Sequence, residues 1–252
     1  MDSTTRARLS RIAHRHHPIS APLSDESVAV LLGRAIVTGR ERVLDLGCGE
    51  AAWLLRALAA HPELTADGVD TDAGSLTLAR EAAERLGVVR RLGLHHRPAA
   101  EFAGPHQYDL VLCVGATHAF DGLLPALAAA RRHLAPGGRV LVGEGYWQRE
   151  PDRAALDGFG GAAREDFDEL PALVDRLLAD GWTPTAGHQS TQAELDDYEW
   201  CWTGSLADWA LDHPSDPLAP HATELARDHR AGWLHGYRGA FGFVTLLLRP
   251  TE

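Results

Sequence analysis

Arg42-Val43-Leu44-Asp45-Leu46-Gly47-Cys48-Gly49-Glu50-Ala51 reads as a buried strand that ends in an acidic residue and a glycine turn and then starts a helix. Val43, Leu44 and Leu46 form the apolar run of a strand covered on both faces. Gly47 and Gly49 leave the turn without Cβ atoms, so a ligand has room to lie on the backbone. Residues 51–61, with Trp53, Leu54, Leu55 and Leu58, read as the helix, and Pro62 stops it. A strand, a glycine turn and a helix N-terminus make the first unit of a nucleotide-type binding fold.

Two ligands compete for this turn. Gly47-x-Gly49-x-x-Ala52 satisfies a dinucleotide fingerprint, with Asp70 at about the expected distance. Asp45 argues the other way, because a carboxylate beside the helix N-terminus repels a pyrophosphate. S-adenosylmethionine has no phosphate and carries a sulfonium and an amino group, which an acidic strand tip suits.

The stretch 43–49 resembles the first motif of class I S-adenosylmethionine-dependent methyltransferases, and later segments follow in that family's order. Gly68-Val69-Asp70-Thr71-Asp72 resembles the second strand and its acidic tip, Ala99-Ala100-Glu101-Phe102 the adenine loop, and 108–114 the fourth strand. Residues 134–142, with Pro136-Gly137-Gly138, resemble the turn and fifth strand. The likeness spans about 43–144; the family's frequent third glycine is Ala51 here.

The resemblance implies an α/β, Rossmann-like doubly wound fold with a mainly parallel seven-stranded sheet and an antiparallel last strand. It also implies S-adenosylmethionine as cofactor. Asp70 would hold the ribose, and Gly47 and Gly49 would lie against the cofactor, with Cys48 and Thr71 beside them. Asp45 would set the amino-acid end, Ala100 and Glu101 would lie near the adenine, and Gly115 near the methionine portion.

Composition fits one domain and narrows the acceptor. The 252 residues are 45% hydrophobic, enough for a single large core. No segment reaches the length of a membrane span, and three unpaired cysteines suit a reducing cytoplasm, so a cytoplasmic protein without membrane partners is expected. A net charge of −11 disfavours nucleic acid as partner. The chain has no lysine, which excludes lysine-based catalysis, and no Pro-Pro pair, which excludes a Pro-Pro-aromatic amino-methylation motif. A small-molecule acceptor is the expected class. No metal site is expected: His14-Arg15-His16-His17 reads as a solvated or lid-forming segment, and His95-His96 as strand-end packing.

Strands alternating with helices over 75–86, 122–134 and 171–180 predict helices on both faces of the sheet, closed by a strand over 241–248. One methyltransferase domain over 1–252 is expected, with an N-terminal lid (1–24), a core (25–195 and 240–252) and a helical cap insertion (196–239). Within the insertion, Ser205 would cap one short helix, and 221–234 would form another. Methyl transfer needs alignment and water exclusion, and a base only when the acceptor must lose a proton. His118, just past the fourth strand, and Glu144, at the tip of the fifth, are the catalytic candidates. Tyr146, Trp147, Tyr198 and Trp200 are the candidate acceptor contacts. A dinucleotide-dependent oxidoreductase and a binding protein that has lost transfer are the alternatives.

Overall fold

The computed structural model describes residues 3–251. α1 (Ser3–His14) and α2 (Asp25–Ala35) precede β1 (Arg42–Leu46), and α3 (Ala52–Ala60) leads to β2 (Thr65–Asp70). α4 (Ala73–Arg85), β3 (Leu92–His96), β4 (Tyr108–Val114), α5 (Leu123–His133) and β5 (Leu134–Trp147) complete the first half. α6 (Arg153–Gly158), α7 (Leu170–Ala179), β6 (Trp182–Gln189), α8 (Gln192–Asp212), α9 (Ala219–Gly232) and β7 (Phe241–Pro250) follow.

The sheet has seven strands in the order β3-β2-β1-β4-β5-β7-β6, with β7 antiparallel to β6. β1 pairs parallel with β2 on one side and with β4 on the other. The crossovers from β1 to β2 and from β4 to β5 travel in opposite directions, so right-handed connections put α3 and α5 on opposite faces. The reversal at β1 and β4 leaves a crevice at their carboxyl ends, the binding position of open α/β sheets. Val43, Leu44, Leu46, Leu110, Val111 and Leu112 are all fully buried, which is what their uninterrupted apolar runs demand.

Chain contacts divide the protein into two compact units: 1–23, 145–173 and 190–243 form a helical unit, and 24–144, 174–189 and 244–252 form the sheet unit. In the helical unit α1 packs on α8, burying Leu9 and Ala13 among Leu206, Trp209 and Ala222. Arg8 reaches Asp216, and Arg15 pairs with Asp208. His14 bonds the Tyr198 hydroxyl (3.0 Å) and His17 is buried edge-on to the same ring, so these two histidines are docked while Arg15 and His16 stay exposed. Burial holds the His14 imidazole below its usual range.

Two further expectations need correction. Ser205 does not begin a helix: it is buried in the middle of α8, whose cap is the Thr191–Glu194 box (Glu194 N–H to Thr191 Oγ1, 3.2 Å; Thr191 N–H to Glu194 Oε2, 2.8 Å). The Pro136-Gly137-Gly138 turn lies inside β5, as an irregularity between the Tyr108–Leu134 and Leu110–Arg139 pairs.

Glycines let α9 cross tightly over α6 in the helical unit. A Cβ on Gly232 of α9 would sit 2.4 Å from the Gly158 carbonyl oxygen of α6. Gly232→Ala is therefore expected to lower stability by about 1–3 kcal/mol. A thermal melt unchanged from wild type would contradict this packing.

Candidate functional site

The glycine turn after β1 is sewn to β2 by backbone hydrogen bonds. The N–H groups of Gly47 and Cys48 both donate to Val69 O, at 2.9 and 3.0 Å. Gly49 N–H donates to Asp70 Oδ2 (2.8 Å), and Asp70 Oδ1 accepts Asp72 N–H (2.8 Å). Asp72 then caps α4 by accepting from Gly74 and Ser75 N–H. One carboxylate thus fixes both the glycine turn and the start of the next helix.

Gly47 and Gly49 are required for different reasons. Gly47 has φ +90°, and a Cβ there would lie 2.4 Å from Ala116 Cβ, so the turn after β1 presses against the turn after β4. Gly49 has φ +52° and its missing Cβ faces open space, which is room for a ligand against the backbone. Ala51 completes the turn at φ +56° and gives α3 no side-chain cap, so the first-turn donors of α3 remain for an anion.

Asp45 lies between Gly68 of β2 and Leu112 of β4, only 3% exposed, and accepts no hydrogen bond from the described residues. Burial first, and the Asp70 charge second, push its carboxyl up to about 7. A buried carboxylate with no partner calls for a cationic one.

The other expected cofactor residues follow the carboxyl ends of β1 to β4. Cys48 turns its side chain onto β2, where a Cβ on Gly68 would lie 2.8 Å from its Sγ. Burial, then Asp45 and Asp70, push this thiol far above the usual range, so only its backbone is offered to a ligand. Thr71 is exposed, and its carbonyl accepts from His96 Nε2 (3.0 Å). His95 pairs with Asp67 (2.7 Å), which Tyr108 O–H also reaches (3.0 Å). Ala100 and Glu101 are exposed on a short 3₁₀ turn anchored by buried Ala99. Gly115, at φ +71°, donates to Gly143 O (3.3 Å).

Of the catalytic candidates, His118 stands exposed on the 3₁₀ turn Thr117–Phe120, held between buried Thr117 and Phe120. Its ring bonds no described residue, so it is not the backbone-tied histidine that a helix start often carries. Glu144 is half-buried on β5, one residue past the Gly143–Val114 pair.

The acceptor candidates do not form one cluster in the helical unit. Trp147 is 1% exposed, with its indole N–H given to Arg164 O (3.0 Å) and its ring edge-on to Phe159, Phe167 and Phe241. Tyr146 is also buried, its ring packed where Gly242 lacks a Cβ. Tyr198 is committed to the α1 histidines, whereas Trp200 is half exposed and edge-on to Trp233. Among the described residues no group of His, Cys, Asp or Glu is arranged to hold a metal ion, and no helix is long and apolar enough to cross a membrane.

The methyltransferase-domain family matches residues 44–140, the stretch that builds this crevice. The uncharacterised protein YjhP of Escherichia coli K12 is 30% identical over 214 residues, 84% of this chain and 86% of that protein. A Geobacter sulfurreducens S-adenosylmethionine-dependent methyltransferase, solved with S-adenosyl-L-homocysteine, matches at TM-score 0.90 and 26% identity over 96% of this chain and 98% of its own. A Thiobacillus denitrificans methyltransferase solved with the same molecule matches at TM-score 0.90 and 25% identity, again over 96% and 98%. Sequence, topology and crevice thus agree, and the chain belongs to the class I S-adenosylmethionine-dependent methyltransferases, whose cofactor is S-adenosylmethionine.

Proposed function

We propose that this chain transfers a methyl group from S-adenosylmethionine to a small-molecule acceptor. The observation that carries the reading is the buried, unpartnered carboxylate of Asp45, two residues before a glycine turn whose Gly49 opens onto free space. That pair suits a ligand that is cationic, lies flat on backbone and carries no phosphate. It disfavours a pyrophosphate, so the dinucleotide reading falls away.

When bound, the cofactor supplies an activated methyl group on a sulfonium. Asp70 keeps one lone pair on each oxygen after accepting Gly49 and Asp72 N–H, and these take the ribose hydroxyls. Asp45 counters the positive charge of the amino-acid end, and the uncapped first turn of α3 receives its carboxylate. Gly47, Cys48 and Gly49 offer backbone, Thr71 flanks the ribose, Ala100 and Glu101 border the adenine, and Gly115 borders the methionine portion. His118 takes the acceptor proton where one must leave, and Glu144 orients the acceptor or serves as a second base. On the helical unit, exposed Trp200 offers surface to an acceptor, whereas Tyr198, held by His14, and buried Tyr146 and Trp147 act by holding shape. A chain of net charge −11 without lysine favours a small acceptor over a nucleic acid.

The test is S-adenosylhomocysteine release with pooled amines, phenols and carboxylic acids against RNA and DNA. Turnover on nucleic acid alone would overturn the small-molecule assignment. On the acceptor found, His118→Ala is expected to lower kcat by roughly 100-fold with cofactor affinity unchanged, the usual size for a lost general base. An unaltered kcat would return His118 to the surface.

A further inference from the structure

A second chemically loaded place lies wholly within the helical unit. A cleft of about 410 Å³ opens between the C-terminal end of α6 and the last turns of α9, where the chain passes into a π-helix over Trp233–Tyr237. Its side-chain lining is Phe159, Leu225, Asp157, Asp228, His229 and Tyr237. That volume is the size of a small-molecule site, and π-helical turns recur at functional sites.

Behind the lining sits a closed polar network. Glu199 of α8, 8% exposed, accepts the Tyr237 O–H at Oε1 (2.7 Å) and faces His229 Nε2 at Oε2 (2.7 Å). Trp202 stacks on the His229 ring at 4.1 Å and fixes its plane. The carboxylate therefore holds the Nε2 proton of His229, and Nδ1, which has no partner among the described residues, presents a lone pair. The Tyr237 proton is already committed to Glu199. The acceptors that side chains bring to the lining are His229 Nδ1 and the carboxylates of Asp157 and Asp228. Arg153 and Arg227 pair with those two carboxylates from exposed positions, where solvent screens the charge, and neither arginine lines the cleft. The remaining walls are apolar or aromatic, with Phe159 edge-on to Tyr237 at 4.8 Å. Gly160, at φ +77°, has no atom within 4 Å of where a Cβ would stand, so there is free space beside this lining residue.

We infer that this cleft is a binding site for a small amphipathic amine, whose ammonium donates to His229 Nδ1 and whose apolar body lies against Phe159 and Leu225. Two carboxylates and a ring acceptor offer a carboxylate of the same shape no side-chain donor and only like charge, so it is rejected. The aromatic walls add attraction for a cation. Binding here does not depend on the methyl-transfer reading.

The experiment is calorimetric titration of the full chain with phenethylamine and, in parallel, phenylacetate, with intrinsic tryptophan fluorescence as a second readout. Phenethylamine is expected to bind saturably and phenylacetate not to bind. His229→Ala weakens the amine by at least roughly tenfold, the size of one hydrogen bond to a charged group. Leu225→Trp fills the cleft and abolishes binding, so, with a melt equal to wild type, it decides the matter if His229→Ala does not fold. No binding of phenethylamine to the wild-type chain, equal binding of the two probes, or an unchanged affinity in Leu225→Trp would overturn the site.

Discussion

Asp70→Ala is expected to weaken S-adenosylhomocysteine binding by at least about 100-fold. Two losses combine: the acceptors proposed for the ribose hydroxyls disappear, and Gly49 and Asp72 lose the carboxylate that holds their N–H groups at 2.8 Å. Hydrogen bonds to a charged group are worth about 1.5–3 kcal/mol each, so removing two reaches that factor without further assumptions. The turn keeps its bonds to Val69 O, so the fold survives. Asp70→Asn retains one acceptor oxygen and falls between, about tenfold weaker than wild type. Calorimetry on the three proteins checks the order. Full affinity in Asp70→Ala would remove the ribose from this carboxylate.

Asp45→Asn is expected to do two opposite things. The folded carboxyl keeps its proton up to about pH 7, whereas an ordinary aspartate releases it near 3.8. Between those values the folded chain binds a proton that the unfolded chain lacks, so stability falls as pH rises through this window. Above it, the ionised side chain costs about 4 kcal/mol, from about 1.4 kcal/mol per pH unit. An asparagine avoids that cost but leaves a buried amide without a partner, at about 1–3 kcal/mol. The net gain of about 1–3 kcal/mol at pH 8 raises the melting temperature by roughly 3–10 °C, and the gain shrinks toward pH 5. Cofactor affinity moves the other way, because the substitution removes the charge that meets the cationic end. In the wild-type chain that affinity rises from pH 6 to pH 8 as Asp45 ionises; in Asp45→Asn it is flat. A melting temperature at pH 8 at or below wild type would contradict the burial argument, and a pH-independent wild-type affinity would remove Asp45 from the site.

The opposed effects of Asp45→Asn on stability and affinity show why this crevice resists optimisation. A partnerless buried carboxylate beside residues in left-handed conformations is poor local design and persists where a ligand completes it. Ala51, at φ +56° and fully buried, belongs to the same pattern.

What the sequence revealed follows from how local each signal is. The run from Val43 to Gly49 was legible because strand, acidic tip and turn are consecutive residues with one backbone solution. Asp70 was legible because parallel βαβ units fix the distance from the turn to the next strand tip. The Thr191–Glu194 capping box went unread, and Ser205 suggested a start inside a helix too long for its aromatic pattern to mark as continuous. Pro136-Gly137-Gly138 looked like a turn and is an irregularity within a strand, since only pairing with β4 shows that the strand resumes. The aromatic residues were the least legible. Trp147 and Trp200 look alike in composition, yet one is sealed in a ring cluster and the other is half exposed. Which face of an element an aromatic takes is decided by packing partners far along the chain. The same holds for Glu199, His229 and Tyr237, which the packing of α8 on α9 and the π-helix brings together.

The most direct test of the account is calorimetric titration of the full chain with S-adenosylhomocysteine, with NADH run in parallel. The account predicts micromolar binding of S-adenosylhomocysteine, loss of that binding in Asp70→Ala, and no heat with NADH. Binding of NADH with none of S-adenosylhomocysteine would contradict it.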